Sequence, residues 1–138
     1  MNTTSSTVIE RYPDAELQEF RLLIQQLYRE TKVELEEMRR QIHDYSENMS
    51  ESFGSDYGDD SNTTSDIEML SDLAIRKRNY LRDLENAMTR INNKSYGACA
   101  VTGKLIPKAR LLAVPTTTKS LEGKRILAGE IEPSTSLN

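Results

Sequence analysis

Apolar residues recur along the first third of the chain as Leu17, Phe20, Ile24, Leu27, Leu35, Met38, Ile42, Tyr45 and Met49, with Thr31 in the same series. The steps are threes and fours, the period of one face of an α-helix. Charged residues such as Arg29, Glu30, Lys32, Glu34, Glu36, Glu37, Arg39 and Arg40 fill the other faces. The pattern predicts one long amphipathic helix. Tyr12-Pro13-Asp14 marks its start, because proline suits a first helical turn and Asp14 and Glu16 suit its positive end. Residues 1–12 read as a flexible lead-in.

The pattern breaks at Ser50. From there to Ser65 the sequence is SESFGSDYGDDSNTTS, where Gly54, Gly58, Asn62 and the hydroxyl residues predict a loop. The loop carries Glu51, Asp56, Asp59 and Asp60 and no Lys or Arg. A second helix is expected from Ser65, read as its N-cap, with Asp66 and Glu68 favouring the helix start. Its seam is Ile67, Leu70, Ala74, Leu81, Leu84, Met88 and Ile91, and Lys77 stands where the heptad would have one more apolar residue. It is expected to end near Asn92-Asn93-Lys94, since Asn tolerates a left-handed cap.

Two helices of similar length joined by a polar loop should fold back as an antiparallel coiled-coil hairpin over residues 13–94. At 1.5 Å per residue the rod is about 45 Å long, with the acidic loop 50–65 at its tip. Residues 95–128 differ in character. Tyr96-Gly97 predicts a turn, Val101 to Pro107 a β-hairpin on Thr102-Gly103, Leu111 to Pro115 a short strand, and Ser120 to Leu127 a last short helix. Residues 129–138 read as a tail. The expected fold class is mainly α: a long antiparallel two-helix coiled coil plus a small α/β globular module.

Composition agrees with that picture. The 138 residues are 36% apolar and 29% charged, with no Trp, two Phe and six Tyr. This is thin material for a large compact core and suits long helices that bury one stripe. The net charge of -4 argues against a general nucleic-acid coat. Cys99 is the sole cysteine, which points to a reducing compartment. No apolar run approaches the roughly 20 residues that span a bilayer, and the Thr/Ser-rich start lacks a secretory pattern. A cytoplasmic location is expected, with no membrane partner. His43, the only histidine, lies among charged residues, and Cys99 has no base nearby in sequence. No catalytic residue is assigned, and the chain is not expected to be an enzyme.

The run Tyr96-Gly97-Ala98-Cys99-Ala100-Val101-Thr102-Gly103-Lys104-Leu105-Ile106-Pro107, followed by Arg110-Leu111 and Ala113-Val114-Pro115, resembles the globular module of the DksA/TraR family. Upstream, Arg76-Lys77-Arg78, Leu81, Leu84-Glu85, Ala87 and Ile91 are similar to that family's second coiled-coil helix. Tyr12-Pro13-Asp14, Glu16-Leu17 and Glu19-Phe20 resemble the start of its first. The likeness covers roughly residues 12 to 127. The family consists of bacterial transcription factors that bind RNA polymerase directly, without sequence-specific DNA binding.

The resemblance implies a zinc-finger-type module whose metal is held by two Cys-x-x-Cys pairs. Cys99 matches the first ligand, whereas Thr102, Ser120 and Gly123 stand at the other three positions. A structural zinc normally takes four thiolate or imidazole ligands. The expectation is therefore a degenerate, zinc-free module, with Leu105, Ile106, Leu111, Leu112, Val114 and Leu121 packing in place of the metal. The resemblance further implies a tip motif, Asp-x-x-Asp-x-Ala, that enters the polymerase's secondary channel. Here it falls on Asp56, Asp59 and Ser61, with Asp60 as an alternative to Asp59 for the second acid. The family also uses the stringent-response alarmone ppGpp. Arg76 and Lys124 match basic contacts and Arg110 is a further candidate, but Asp83 and Val114 replace other bases, so only half of the set is present.

Three functional readings follow. The first is a monomeric secondary-channel regulator of RNA polymerase. The second is a coiled-coil adaptor or structural protein that binds another protein. The third, a nucleic-acid-binding zinc-finger relative, is opposed by the missing ligands and the acidic charge.

Overall fold

The computed structural model describes residues 10–51 and 60–133, with side chains at 49–51 and 60–63 excepted. Two long helices come first, α1 (Asp14–Glu51) and α2 (Asp60–Asn92), then two short ones, α3 (Lys108–Ala113) and α4 (Leu121–Leu127). The long helices form a hairpin. Arg21 Nη1 donates to Asn92 Oδ1 at 2.7 Å, and Lys77 Nζ meets Glu34 Oε1 at 2.6 Å. A partner that moves down the chain as the first residue moves up is an antiparallel register.

The residues divide into two compact units, Gln26–Asp83 and the remainder. In the unit Gln26–Asp83 the seam is thin. Thr31, Leu35 and Ala74 are buried, while Leu27, Met38, Ile42, Ile67, Leu70 and Leu81 are half-buried. Lys77 is also half-buried, and its ammonium turns out of the seam to the Glu34 carboxylate. Such a pair keeps the aliphatic stem against the helix and the charge in water.

The other unit holds the start of α1, the end of α2 and the small module. Leu17, Phe20, Ile24, Leu84, Ala87 and Ile91 bury fully, and Tyr96, Ile106 and Leu111 join them. An aromatic series links the parts: Tyr12 meets Phe20 edge-on at 5.5 Å, and Phe20 meets Tyr96 at 5.1 Å. The Tyr12 hydroxyl donates to the Ile106 carbonyl, and the Tyr96 hydroxyl to the Pro115 carbonyl at 2.7 Å. Gly97 has φ +89°, and a Cβ there would lie 2.5 Å from the Tyr12 ring. Only glycine allows that approach. Lys108 adds an ionic clamp, 3.1 Å from both Glu16 and Glu19.

Three expectations are corrected. The loop expected over 50–65 is shorter, since α1 reaches Glu51 and α2 begins at Asp60. Ser65 is thus a helix-interior residue and not an N-cap. Ser, Thr and Asn disfavour a helix by under about 0.7 kcal/mol each, which does not stop a helix already held elsewhere. At the far end of α2 the left-handed residue is Lys94, φ 68°, and not an Asn. Asn93 Oδ1 is instead occupied by the Ser95 amide and hydroxyl.

The α/β module is the second correction. No strand occurs among the described residues, only one antiparallel bridge between Ala98 and Leu105. The turn at Thr102-Gly103 does form, with Gly103 N donating to Cys99 O at 2.9 Å. The expected strand at Leu111–Pro115 is largely the helix α3. Pro107, φ −56°, presets its entry, and Lys-Ala-Arg-Leu-Leu-Ala are strong helix formers. Val114, which precedes Pro115, is extended and ends it.

The third correction concerns packing. Ile106 and Leu111 are buried and Leu105 is half-buried, but Leu112, Val114 and Leu121 are 55%, 42% and 60% exposed. On short helices such as α3 and α4, one side faces the core and the other faces water. Tyr96 and Cys99 supply the burial that those three residues do not.

Candidate functional site

Three groups of residues were singled out by sequence, and the structure treats them differently. Of the tip residues, Asp56 and Asp59 lie outside the described residues. Asp60 and Ser61 belong to the first turn of α2. The sequence around them is anionic over a longer stretch than the loop. Between Arg40 and Arg76 the chain carries Asp44, Glu47, Glu51, Asp56, Asp59, Asp60, Asp66, Glu68 and Asp72, and no Lys or Arg. His43 sits at its edge on α1, 3.6 Å from Glu47 and 3.9 Å from Asp44.

The second group is Cys99, Thr102, Ser120 and Gly123, and the structure brings all four together. The Cys99 sulfur accepts hydrogen bonds from the amides of Val101 and Thr102 at 3.4 Å and of Ser120 at 3.3 Å. The Ser120 hydroxyl adds one more at 3.4 Å. Ser120 also caps α4, its Oγ accepting from Gly123 N at 3.0 Å. A Cβ on Gly123 would lie 2.8 Å from the sulfur, so the absence of a side chain there is what lets α4 close on Cys99. Burial pushes the thiol pKa up, but the hydrogen bonds from Ser120 and Thr102 outweigh it and bring the value to about 6.

This shell does not fit zinc. It offers one sulfur and a set of hydrogen-bond donors, and donors repel a cation where a metal site supplies lone pairs. Among the described residues no group of three or more His, Cys, Asp or Glu side chains converges. What the arrangement does chemically is surround the Cys99 sulfur with donors that favour its thiolate, and through Ser120 tie the turn to the start of α4.

The third group is basic. Arg110 and Lys124 line one cavity of about 330 Å³, with Val114, Thr116, Thr117, Thr118 and Lys119. Arg110 is fixed there, donating through Nε to the Lys119 carbonyl at 2.9 Å and through Nη2 to Thr117 Oγ1 at 3.4 Å. No salt bridge engages Lys119 or Lys124 among the described residues. Lys119 and the threonine run were not singled out by sequence; the signal was the Thr-Thr-Thr-Lys string next to Pro115. Arg76 belongs to the other unit and is exposed. The module as a whole is cationic, with six Lys and Arg against three Glu between Ser95 and Pro133.

Comparison with known proteins follows the same lines. No family model matches the sequence. A stretch of 50 residues, 36% of this chain, is 46% identical to the uncharacterized protein YteA of Bacillus subtilis (strain 168). The match spans about a fifth of YteA, 21% of its length. The structure of transcription factor DksA2 from Pseudomonas aeruginosa matches with a TM-score of 0.73 at 25% identity, covering 83% of this chain and 84% of that one. Among the described residues no helix is long and apolar enough to cross a membrane. The antiparallel hairpin, the module built on Tyr96-Gly97-Ala98-Cys99 and this likeness give the chain a DksA-like fold and support a DksA-like family.

Proposed function

We propose that this protein regulates transcription initiation by binding RNA polymerase directly and placing the acidic loop of its hairpin in the enzyme's secondary channel. The observation that carries this reading is the likeness to a transcription factor, DksA2, over 83% of the chain. Charge supports it. The segment from Asp44 to Asp72 has only acidic side chains apart from its neutral residues, and a narrow anionic element is drawn to a basic, metal-containing channel. Asp56 and Asp59, with Asp60 as a possible substitute for the latter, are the acting residues. The sides of the coiled coil and the cationic module supply affinity. The protein itself catalyses nothing; it biases an enzyme, and the reading places it in the bacterial cytoplasm as a monomer.

The cavity with Arg110, Lys119 and Lys124 suits a multiply charged phosphate such as that of ppGpp, since such ligands need Lys or Arg. Asp83 and Val114 stand where two further bases would strengthen it. Regulation therefore proceeds with little dependence on the alarmone, and zinc has no part in it. Purified protein passed over immobilised RNA polymerase tests the proposal. Retention at micromolar concentration that salt weakens is expected. Absence of binding would leave the adaptor reading in its place.

A further inference from the structure

Helix α3 faces two ways. One side packs on α1: Lys108 lies 3.1 Å from both Glu16 and Glu19, and Leu111 is buried in the core that holds Leu17 and Phe20. The start of α1 thus meets the module as an acidic amphipathic helix, with Glu16 and Glu19 three apart beside Leu17 and Phe20.

The other side of α3 carries Ala109 and Ala113, which line a groove of about 630 Å³ with Leu105, Pro107 and Leu121. Thr102, Lys104, Arg110, Ser120 and Glu122 complete the lining. Arg110 also lines the cavity with Lys119 and Lys124, so one guanidinium borders both spaces. Together they hold four cations, Lys104, Arg110, Lys119 and Lys124, against one carboxylate, Glu122. None of the four meets a carboxylate among the described residues. Arg110 is oriented by two neutral acceptors, the Lys119 carbonyl and the Thr117 hydroxyl. Leu121 is 60% exposed. The groove side therefore repeats the chemistry of the α1 side, apolar walls edged by cations, with no acidic helix laid on it among the described residues.

We propose that this face of the module is a docking surface for an acidic amphipathic helix of a partner protein. Its apolar side chains enter the groove, and its carboxylates meet Lys104 at one edge and Arg110 with its lysine neighbours at the other. The apolar walls supply most of the affinity, because exposed ion pairs add little, and the cations decide which helix is accepted. The inference does not rest on polymerase binding, and its test contains no polymerase.

The probe is a synthetic acetylated peptide with Leu and Glu repeating three and four apart, titrated into the full chain and followed by methyl NMR. The Leu105, Ala109, Ala113 and Leu121 methyls are expected to shift and to saturate below about 1 mM, a weak complex. Those of Leu84 and Ile91 in the helical seam should stay in place. Lys104→Glu with Lys124→Glu alters two exposed side chains without ion-pair partners, and should weaken the peptide about tenfold or more. The same peptide with Lys in place of Glu should leave the groove untouched. Groove methyls that ignore the acidic peptide would overturn the proposal. So would an equal response to the Lys peptide, which would reduce the groove to an unselective apolar surface. Equal shifts with a short RNA would make a polyanion the occupant, and shifts that follow protein concentration alone would make it a second copy; either result overturns the proposal.

Discussion

The sulfur of Cys99 accepts three amide hydrogen bonds and one from a hydroxyl, and it does so with almost no exposure to water. Its pKa falls from the usual thiol value of 9.0 to about 6, because bonds to the charged form outweigh burial. A lowered acid pKa in the folded state means that the folded protein releases this proton more readily than the unfolded chain. The resulting stability is present in full above about pH 9 and drains away as pH falls towards 6. We expect the melting temperature of the module to rise with pH across that window, and Cys99→Ala to flatten the slope. Calorimetry at several pH values, with variant and parent side by side, measures it. An unchanged slope in the variant would assign the pH dependence to other groups. Residue-level chemistry of this kind was hidden in the sequence. The resemblance set Cys99, Thr102, Ser120 and Gly123 at four ligand positions, so their meeting was legible, but nothing in the sequence showed that amides and a hydroxyl would donate to the one sulfur left there.

At the scale of the elements, the long helices were legible because the signal is redundant. Leu17, Phe20, Ile24, Leu27, Thr31 and Leu35 repeat one spacing over several turns, and all are at least half-buried in the hairpin. The ends of those helices were not legible. Propensity differences between Ser, Asn and better helix formers are small against packing held further along, and α2 runs on to Asp60. Leu111 to Pro115 failed for another reason: a five-residue apolar run fits a strand or a short helix equally well. Lys77 offers a direct test at this scale. Lys77→Leu would fill the seam and release Glu34 to water. We expect a gain of about 1 kcal/mol in urea unfolding, since an apolar residue at a seam position stabilises a coiled coil. The gain should come with looser register, read as doubled resonances for Leu35 and Ala74. A loss of stability would mean that the Lys77–Glu34 pair contributes more than the burial that replaces it.

For the whole molecule, the distribution of charge makes the functional prediction specific. Asp56→Asn with Asp59→Asn removes two charges at nearly constant shape. The double variant is expected to bind polymerase within a few-fold of the parent and yet lose most of its effect on initiation at sensitive promoters. In vitro transcription beside a binding titration separates the two. Equal regulation by both proteins would reduce the acidic loop to a solvated turn. Metal gives a second check. The purified protein is expected to carry no stoichiometric zinc, and its melting should be indifferent to chelator, because a single thiolate and hydroxyls do not hold the ion. Elemental analysis with melting before and after chelation decides it, and one tightly held zinc per chain would sink the expectation.

The lone thiol also makes the protein its own reporter. At pH 7 Cys99 is mostly thiolate, the nucleophilic form, so its reaction with an alkylating reagent is limited by access and not by ionisation. Access requires the turn at Thr102-Gly103 and the start of α4 to part. The labelling rate therefore counts how often this corner of the module opens. With no second cysteine to confuse the signal, a partner that grips the module would register as slower labelling, and one that pries it apart as faster labelling.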